Sequence, residues 1–434
     1  MLERLNALVA KVRSPSEKSF LREFVRFGSS TGFVQGSRVV SGLVVAAIVD
    51  PGAWGNWYLL NLIIAYGALT QLGALNGMNR EVPAAIGRGS VTEAVDLRRS
   101  ALGVVLLTTG LATILLLGLG LVIPAVTVTN AFLLTIALLF ANQIYTYVVT
   151  SLRSTTHFND LARLQFVQAI AYPSLSISGA LVLGIPGFIL GQITTLALTS
   201  LAASGAHTVA WRPKFKRTLI RRLIVVGFPI MLVGLIHTLF ATVDRWVIVG
   251  HLGSEALGYY SLAIMALSAV ALLPQVLSQQ FYPRMAYAWS ATRDAGELRR
   301  LATRQRLYTF AAVVPVVGLM ALVTPPIVRA LLPQYAPGIP AILVTIFVPL
   351  VSTIGEGYGG VLHVLNRQFW YVGAILVAAV VNIGASLALV GPLGIVGVAW
   401  GTFAAFVVLA VLRVMLGTAA LRRAPITATT NRPG

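Results

Sequence analysis

Long stretches without a charged side chain dominate the hydrophobic pattern of this chain. Residues 101–123 (ALGVVLLTTGLATILLLGLGLVI) and 131–152 contain none. Each stretch matches the ~20 residues that a helix needs to cross the ~30 Å hydrocarbon core of a bilayer. Backbone groups in hydrocarbon must pair within the chain, so only helices and closed barrels span membranes, and barrel strands alternate polar and apolar positions. The pattern therefore predicts membrane-spanning α-helices.

The same criterion predicts an all-α polytopic membrane protein with about twelve spans. In the first half the spans lie near 28–49, 57–79, 101–123, 131–152, 164–184 and 188–208. In the second half they lie near 223–250, 258–283, 307–331, 340–364, 369–390 and 395–417. The predicted parts of the chain are amphipathic cytoplasmic helices (1–27), a six-helix lobe (28–208), a basic cytoplasmic linker (209–222), a second six-helix lobe (223–418) and a cytoplasmic tail (419–434). In the first part, Ser14, Pro15 and Glu17 predict the start of the second of two short surface helices.

Composition supports lipid as the solvent of this fold. Hydrophobic residues make up 57% of the chain and charged residues 10%, against about 45–50% and 25% in soluble domains. The chain has no Cys, which excludes a disulfide framework, a thiolate metal site and a thiol nucleophile. The first twenty residues lack the apolar core and the small-residue cleavage site of a signal peptide, so we expect them to remain in the mature protein.

Basic residues predict the orientation of the spans. Of the 32 Lys and Arg residues, 29 fall on one side of the predicted helices. Because cytoplasmic loops carry the excess of these residues, both termini are predicted to lie in the cytoplasm, in the inner (cytoplasmic) membrane of a cell. The net charge of +19 is ascribed to a basic inner face against anionic lipids and not to nucleic-acid binding. Near the short outer turns, Trp54, Trp57, Tyr259 and Tyr260 are predicted to be interfacial anchors.

The chain contains a candidate internal repeat of about two hundred residues. A shift of 203 positions places VDPGAWGNWYLL (49–60) on LGSEALGYYSLA (252–263) without a gap, with Gly55 on Gly258. Each half then presents a span, a short outer turn, a Gly-aromatic start and a second span that ends in a basic loop. Two helical hairpins can resemble each other by composition alone, but a repeat is favoured, and parallel repeats are typical of transporters with a substrate site between the halves.

At these residues the sequence resembles the polysaccharide flippase branch of the multidrug/oligosaccharidyl-lipid/polysaccharide (MOP) exporter superfamily. The second-half hairpin of that family typically reads acidic-Arg, an apolar stretch, then Leu-Gly-x-x-x-x-Gly-x-Tyr-x-x-Ala. This chain has Asp244-Arg245, then WVIVGH, then LGSEALGYYSLA. The first-half segment WGNWYLLNLIIAYGALTQLGALNGMNREVP is similar to the Gly-aromatic start and the Leu-Gly-x-x-x-x-x-x-Arg finish of the same family.

The resemblance implies two six-helix lobes that open alternately around a central cavity. It implies a non-enzymatic flippase that moves a polyprenyl-pyrophosphate-linked oligosaccharide, such as an O-antigen precursor, from the inner to the outer leaflet. No cofactor or metal is expected, although H⁺ or Na⁺ can drive such a cycle. The expected partners are the lipid-linked saccharide, membrane lipids and also a polysaccharide polymerase and glycosyltransferases, and the protein is expected to be a monomer.

A charged side chain inside a span needs a reason, because at mid-membrane it costs about 2.5–3.5 kcal/mol on insertion scales. Arg38 lies halfway along the first span, with Gln35 on the same face. Arginine in the first span of lipid-linked-precursor flippases is thought to hold pyrophosphate, and a guanidinium fits phosphate oxygens in a bidentate way. We therefore predict Arg38 as a substrate contact; an Arg that snorkels, or that pairs with a carboxylate and pins helices, is the alternative.

Asp244 and Arg245 lie near the outer end of the seventh span, so an interfacial position alone can explain them. Neighbouring residues on a helix point about 100° apart, so at most one of the two faces a cavity directly. His237 shares the face of Asp244, although a lone membrane His more often packs through a hydrogen bond. Both Asp244 and Arg245 are candidate substrate contacts, and Asp244 is also a candidate for ion coupling.

Glu356 is the only carboxylate deep in the tenth span, on a stripe with Ser352, Gly359, Gly360 and His363. It can contact substrate, pair with Arg38 across the lobes, or take up the proton or Na⁺ that drives transport. The surrounding glycines predict a bend in this helix, which suits a gating element. Polar stripes also occur on the fifth, eighth and eleventh spans. Such residues more often form hydrogen bonds between helices than contacts to a sugar.

Two other classes of membrane protein are compatible with many apolar spans. An ion-coupled multidrug antiporter of the same superfamily shares the architecture, but deep arginines suit an anionic cargo better than a cationic drug. A membrane-embedded glycosyltransferase is disfavoured because the chain has no DxD pair and its longest connecting loop has about twenty residues.

Overall fold

The computed structural model describes residues 17–122, 130–155, 157–204 and 209–424. Its helices are α1 (Glu17–Ile48), α2 (Pro51–Tyr66), α3 (Ala74–Gly87), α4 (Val91–Val122), α5 (Asn130–Ser154), α6 (Phe158–Ser204), α7 (Arg217–Thr292), α8 (Ala295–Leu331), α9 (Ile339–Thr345), α10 (Val348–Gly355), α11 (Tyr358–Val364) and α12 (Gln368–Arg422). Short 3₁₀ turns cover Gly67–Gln71 and Pro333–Gly338. No strand occurs within these ranges, so the described chain is all-α, as the apolar pattern predicts.

The three longest helices are each broken at one glycine. The 76 residues of α7 would form a straight rod of about 114 Å, far longer than a bilayer is thick. Instead the backbone leaves the helical region at Gly253, and at Gly184 in α6 and Gly394 in α12. Each of these three helices therefore consists of two membrane-length segments.

About twelve segments cross the membrane. Seven of the described helices are long and apolar enough to do so, or eight when the bent pair Pro51–Gln71 and Ala74–Gly87 is one span. The three glycine breaks add three segments, and α1 supplies the last one. The predicted number of spans is thus confirmed. One detail differs at the start of the chain, because α1 runs without a break from Glu17 through the first span. The first predicted surface helix lies outside the described residues.

The hairpins in α6 and α12 are built alike. Gly184 has φ 62° and ψ −138°, and Gly394 has φ 57° and ψ −136°. In both hairpins the break glycine is followed by glycines three and seven positions later, at Gly187 and Gly191 and at Gly397 and Gly401. This identical spacing extends the internal repeat beyond the segment in which the sequence comparison found it.

The packing inside the two hairpins is also equivalent. A Cβ on Gly187 would overlap the carbonyl of Gly179, and a Cβ on Gly397 would overlap the carbonyl of Leu389. A Cβ on the glycine one turn later would overlap the backbone near Ser176 in α6 and near Ser386 in α12. The two limbs of each hairpin therefore approach closely through small residues, which is a common way to pack helices in membranes.

Backbone contacts divide the chain into two compact units. One unit spans Val34–Ser261, and the other begins at Leu262 and includes the residues up to Phe33. This division by compactness falls within α7, later than the predicted basic linker at 209–222. Compactness and internal repetition are different properties, so the predicted lobe boundaries stay a prediction.

Inside the Val34–Ser261 unit, α2 and α3 run antiparallel to the first part of α7. A Cβ on Gly73 or Gly77 would overlap the backbone of Gly227 or Leu223, respectively. Farther along, a Cβ on Gly55 would overlap the Ser254 carbonyl. At each of these positions the two backbones touch, because a glycine lies where the helices meet.

The contact at Gly55 is reciprocal. A Cβ on Gly258 would overlap the carbonyl of Pro51, just as one on Gly55 would overlap that of Ser254. The 203-residue shift places Pro51 on Ser254 and Gly55 on Gly258. Two repeat-related segments therefore meet through the same surface, as the partners of a two-fold interface do. This supports the repeat predicted from sequence.

Ion pairs hold the basic linker to its own unit. Arg222 pairs with Glu81 and with Glu93, and the Lys214 ammonium lies 2.6 Å from the Asp96 carboxylate. The Tyr147 hydroxyl donates a hydrogen bond of 2.6 Å to the carbonyl of Ala210. Part of the basic charge that predicts the cytoplasmic side is therefore locally balanced by carboxylates.

Candidate functional site

The five predicted site residues fall into two polar clusters, one in each unit. Gln35, Arg38, Asp244 and Arg245 belong to the Val34–Ser261 unit, and Glu356 belongs to the other. We name the first the tyrosine–arginine cluster, comprising Arg38, Tyr172, Tyr58, Arg245, Asp244 and Tyr260. We name the second the Glu356 cluster, comprising Glu356, Arg413, Tyr371, Gln305 and His363.

In the tyrosine–arginine cluster, Arg38 projects from α1 toward the first limb of α6. Its guanidinium carbon lies 5.6 Å from the ring centroid of Tyr172, within cation–π range. The Arg38 side chain is exposed at the surface of its unit and Gln35, one turn earlier, is half-buried. Beside them, the Tyr145 hydroxyl donates a 2.7 Å hydrogen bond to Gln168. Arg38 is therefore an oriented cation with an open side.

Asp244 and Arg245 have different environments, as their helix geometry predicts. Asp244 is only 6% exposed, and its carboxylate accepts hydrogen bonds from the backbone amide of Arg245, at 2.8 Å, and from the side chain of Tyr260. Arg245 is half-buried, and its Nε has no hydrogen-bond partner among the described residues. Asp244 thus packs inside the unit, whereas Arg245 retains an unused donor.

Tyrosines connect the two arginines. Tyr58, on α2, lies within electrostatic range of Arg245 and Tyr172, and Tyr172 lies against Arg38. The polar stripe predicted on the fifth span includes Tyr172, but nothing in the sequence indicates that Tyr58 lies beside it. The signal that could have identified Tyr58 is its place in the repeat-bearing segment WGNWYLL. The cluster therefore contains two cations and two phenols, a set of donors that suits phosphate and hydroxyl groups.

The prediction of interfacial anchors is wrong for three aromatic residues. Trp54, Trp57 and Tyr260 are 1%, 5% and 1% exposed. Phe188 of the second limb of α6 contacts both tryptophans, with ring centroids 5.5 Å apart in each pair. These side chains therefore fill the core of their unit. A position near an outer turn does not distinguish the two cases, because aromatic residues of the core and of the membrane interface both occur there.

In the other unit, Glu356 lies where the tenth span breaks. α10 ends at Gly355, Glu356 itself has an extended backbone (φ −64°, ψ 145°), and Gly357 has φ 84°. A Cβ on Gly357 would overlap the backbone of Ala302 on α8. The bend predicted from the glycine cluster is confirmed, and it places the Glu356 carboxylate at the break between two short helices.

Glu356 has two side-chain partners. A guanidinium nitrogen of Arg413 lies 3.7 Å from one carboxylate oxygen, and the Gln305 amide donates a 3.2 Å hydrogen bond to the other. Arg413 also donates a 2.8 Å hydrogen bond to the Tyr371 hydroxyl and lies over its ring at 5.1 Å. The side chains of Arg413 and Glu356 are only 11% and 16% exposed, so this is a largely buried ion pair.

The identity of this partner corrects one alternative. The sequence offers Arg38, across the lobes, as one partner for Glu356, but in its own unit Glu356 pairs with Arg413. Arg413 lies inside the predicted twelfth span, where the orientation argument assigns it to the cytoplasmic side. His363, on the predicted stripe, has its ring centroid 5.0 Å from that of Tyr371. The cluster therefore joins α8, the broken tenth span and both limbs of α12.

The fold is that of known transporters. It matches an inward-facing multidrug resistance MATE family transporter of the MOP superfamily, with a TM-score of 0.70, 16% identity, and coverage of 90% of this chain and 96% of that one. A Vibrio cholerae MATE transporter in the bent form matches with a TM-score of 0.64, 15% identity, and coverage of 93% and 98%. A Pyrococcus furiosus MOP superfamily transporter, described as having a binding pocket of reverse polarity that suggests a different function, matches with a TM-score of 0.65, 13% identity, and coverage of 92% and 95%.

Identities this low establish the fold alone, and a family relationship needs evidence from the sequence. A search of curated protein sequences gives no match. The sequence profile of the family described as "Polysaccharide biosynthesis protein" matches residues 108–336, more than half of the chain. The matched segment begins in α4, ends after α8, and includes Asp244 and Arg245. The chain is thus a multi-pass membrane protein with the fold of MOP superfamily transporters, and it belongs to the polysaccharide biosynthesis protein family.

Proposed function

We propose that this protein is a flippase for surface polysaccharide assembly. It moves a polyprenyl-pyrophosphate-linked oligosaccharide from the inner to the outer leaflet of the cytoplasmic membrane by alternating access. The family match supports a role in polysaccharide biosynthesis, and the transporter fold supports movement of an intermediate across the membrane rather than its synthesis.

The observation that carries the proposal is the pair of arginines in the tyrosine–arginine cluster. Arg38 has an open side, and Arg245 has a buried Nε without a described partner. Asp244 is the nearest carboxylate in sequence, but it is occupied by a backbone amide and Tyr260. A pyrophosphate carries negative charge and many acceptor oxygens, so it complements two guanidinium groups between phenols.

Glu356 is proposed to couple transport to an ion gradient. The carboxylate lies at a helix break, and its contact with Arg413 is 3.7 Å, longer than a direct charge-assisted hydrogen bond. Uptake of H⁺ or Na⁺ would weaken this pair and release Arg413. Asp244, being buried and hydrogen-bonded, is retained as a second candidate.

The test is genetic deletion followed by complementation. In the source organism, deletion is expected to abolish the surface polysaccharide and to cause lipid-linked saccharide to accumulate on the inner leaflet, and the wild-type gene restores both. Arg38→Gln and Arg245→Gln are each expected to reduce export at least tenfold at equal protein level. Arg38→Lys, which keeps the charge but not the bidentate geometry, should give an intermediate value.

Arg329→Gln is the matched control, because Arg329 is an exposed arginine in the last turn of α8. It should export like the wild type. Accumulation of no lipid-linked saccharide in the deletion strain would overturn the proposal. Such a result, together with increased sensitivity to cationic drugs, would favour the multidrug antiporter instead.

A further inference from the structure

A basic pocket lies at one end of the unit that contains Glu356. It has a volume of about 140 Å³, several times the ~30 Å³ that one water occupies in the liquid. The lining comes from the junction between α7 and α8, the junction between α11 and α12, and the end of α12. Arg293, Arg367 and Arg423 each come from a different one of these three places. Their convergence is therefore a property of the fold and not of a local sequence run.

The three guanidinium groups have no carboxylate partner among the described residues. The ion pairs in this part of the chain involve Arg300 and Arg413 instead. Asp294, adjacent to Arg293, caps α8 by accepting a 2.7 Å hydrogen bond from the Gly296 amide. Three guanidinium groups that line one pocket repel one another, so an anion bound there would be favoured by all three charges.

Two indole rings orient these arginines. Arg293 lies over Trp289 at 5.5 Å, and Arg367 and Arg423 lie over Trp370 at 5.2 Å and 5.5 Å. Two cations thus share one indole. When an arginine stacks on an aromatic ring, the flat face of the guanidinium contacts the ring and the N–H groups at its edge stay available. Those N–H groups bind phosphate oxygens in a bidentate way.

The backbone at the pocket is strained. Among the described residues, only three that are not glycine have positive φ: Leu72, Arg293 and Asn366. The last two, with φ of 52° and 55°, both line this pocket. A left-handed backbone at a residue such as Arg costs free energy and tends to persist where it positions a functional group.

We propose that this pocket binds the phosphate group of an anionic membrane phospholipid. The basic loops on this end are those predicted to face the cytoplasm, which places the pocket at the level of inner-leaflet headgroups. Basic pockets between transmembrane helices are known to suit such headgroups. The site shares no residue with the Glu356 cluster, and it does not depend on the cargo proposed above.

The experiment uses the full-length protein purified in a neutral detergent. It is titrated with dioctanoyl phosphatidylglycerol, and binding is followed by thermophoresis and by the rise in Tm that a ligand of the folded state produces. The pocket variant combines Arg293→Gln, Arg367→Gln and Arg423→Gln. The control variant combines Arg299→Gln, Arg304→Gln and Arg422→Gln, which removes the same charge from exposed arginines outside the pocket.

Each basic residue near an anionic lipid headgroup contributes about 1 kcal/mol to binding, which corresponds to about a fivefold change in affinity. The pocket variant should bind about 100-fold more weakly than wild type, and the control variant should stay within about threefold. If the triple variant does not fold, Arg423→Gln alone should weaken binding about fivefold, and Arg422→Gln should not. Equal affinity of pocket and control variants would overturn the proposal.

Two further ligands distinguish the source of the phosphate. Inorganic phosphate that binds wild type as tightly as the lipid would show a site for a free anion and would overturn the lipid assignment. Dioctanoyl phosphatidylcholine, whose headgroup has no net charge, should bind much more weakly, and equal binding would show that the arginines do not select for anionic lipid.

Discussion

The Glu356–Arg413 pair is the clearest charged contact between spans in its unit. Its two side chains are largely buried, and a buried pair is costly to break because the remaining charge is left without a partner. The hydroxyl of Tyr371 and the amide of Gln305 occupy further hydrogen-bonding positions of the pair. The pair therefore links helices while remaining weak enough, at 3.7 Å, for an ion to disrupt.

Substitutions of the pair should be strongly non-additive. Arg413→Gln and Glu356→Gln are each expected to destabilise the purified protein by about 3 kcal/mol, because each strands one buried charge. The double variant should lose less than either single variant, since no unpaired charge remains. Thermal unfolding in detergent measures these differences. Additive losses would show that the two groups do not interact, and Arg422→Gln, on the exposed last turn of α12, serves as the unperturbed control.

At this scale, sequence predicts charges well and their partners poorly. Arg38, Arg245 and Glu356 were identified because a charge inside an apolar run is rare. Arg413 was overlooked as a partner because it lies in the last third of a span, where a cytoplasmic position explains an arginine equally well. Partners on other helices depend on helix rotation and crossing, which a single sequence does not encode locally.

At the scale of helices, glycines impose two distinct constraints. Gly55 and Gly258 allow two helices to touch, since a Cβ on either would overlap a carbonyl of the other segment. Gly184 and Gly394 have open space around them but adopt φ near +60° with an extended ψ. Glycine is therefore required at Gly55 and Gly258 because a side chain has no room, and at Gly184 and Gly394 because of the backbone conformation.

The steric requirement predicts equal damage at repeat-related positions. Gly55→Ala and Gly258→Ala are each expected to cost about 2 kcal/mol or more, because backbone cannot move aside as a side chain can. Gly250→Ala is the control on α7, since its Cβ would meet nothing within 4 Å and alanine favours the helix. The measurement is Tm in detergent. A tolerated Gly55→Ala alongside a damaging Gly258→Ala would refute the reciprocity of this contact.

The backbone requirement makes a separate prediction for the hairpins. Gly184→Ala and Gly394→Ala should each destabilise by about 1–3 kcal/mol, because this conformation is nearly exclusive to glycine. Gly384→Ala, ten residues before the second break, lies in a helical segment with no neighbour within 4 Å and should be neutral or stabilising. Matching losses at Gly184 and Gly394 would follow from their matching dihedral angles, whereas a loss at Gly384 of the same size would indicate general sensitivity of the hairpin.

Sequence predicts the existence of the spans more reliably than their breaks. Every predicted span has a helical counterpart, because an apolar run of about twenty residues has few alternatives to a transmembrane helix. The break at Glu356 was anticipated from the surrounding glycines. The break of the second span between Tyr66 and Ala74 was not, since Leu72 adopts a left-handed conformation that its residue type gives no reason to expect.

On the scale of the whole molecule, the repeat was visible in sequence only around the first hairpin. The structure extends it to α6 and α12, where glycines with the same spacing, the same dihedral angles and the same contacts recur 210 residues apart. The offsets of 203 and 210 differ by seven residues. Insertions between the two segments therefore hide the repeat from an ungapped comparison, although the packing is retained.

The orientation of the molecule leads to a last prediction, and the absence of Cys makes it easy to test. Single cysteines can be introduced without first removing native ones. If basic loops are cytoplasmic, Arg299→Cys near the start of α8 and Arg217→Cys at the start of α7 should resist a membrane-impermeant maleimide in intact cells and react in inverted vesicles. Glu255→Cys, beside the Gly253 break in α7, and Gln334→Cys, in the 3₁₀ turn after α8, should show the reverse. These four positions are exposed, so the reagent can reach them. Labelling of Arg299→Cys from outside would invert the topology and would place the basic pocket at Arg293, Arg367 and Arg423 against the outer leaflet.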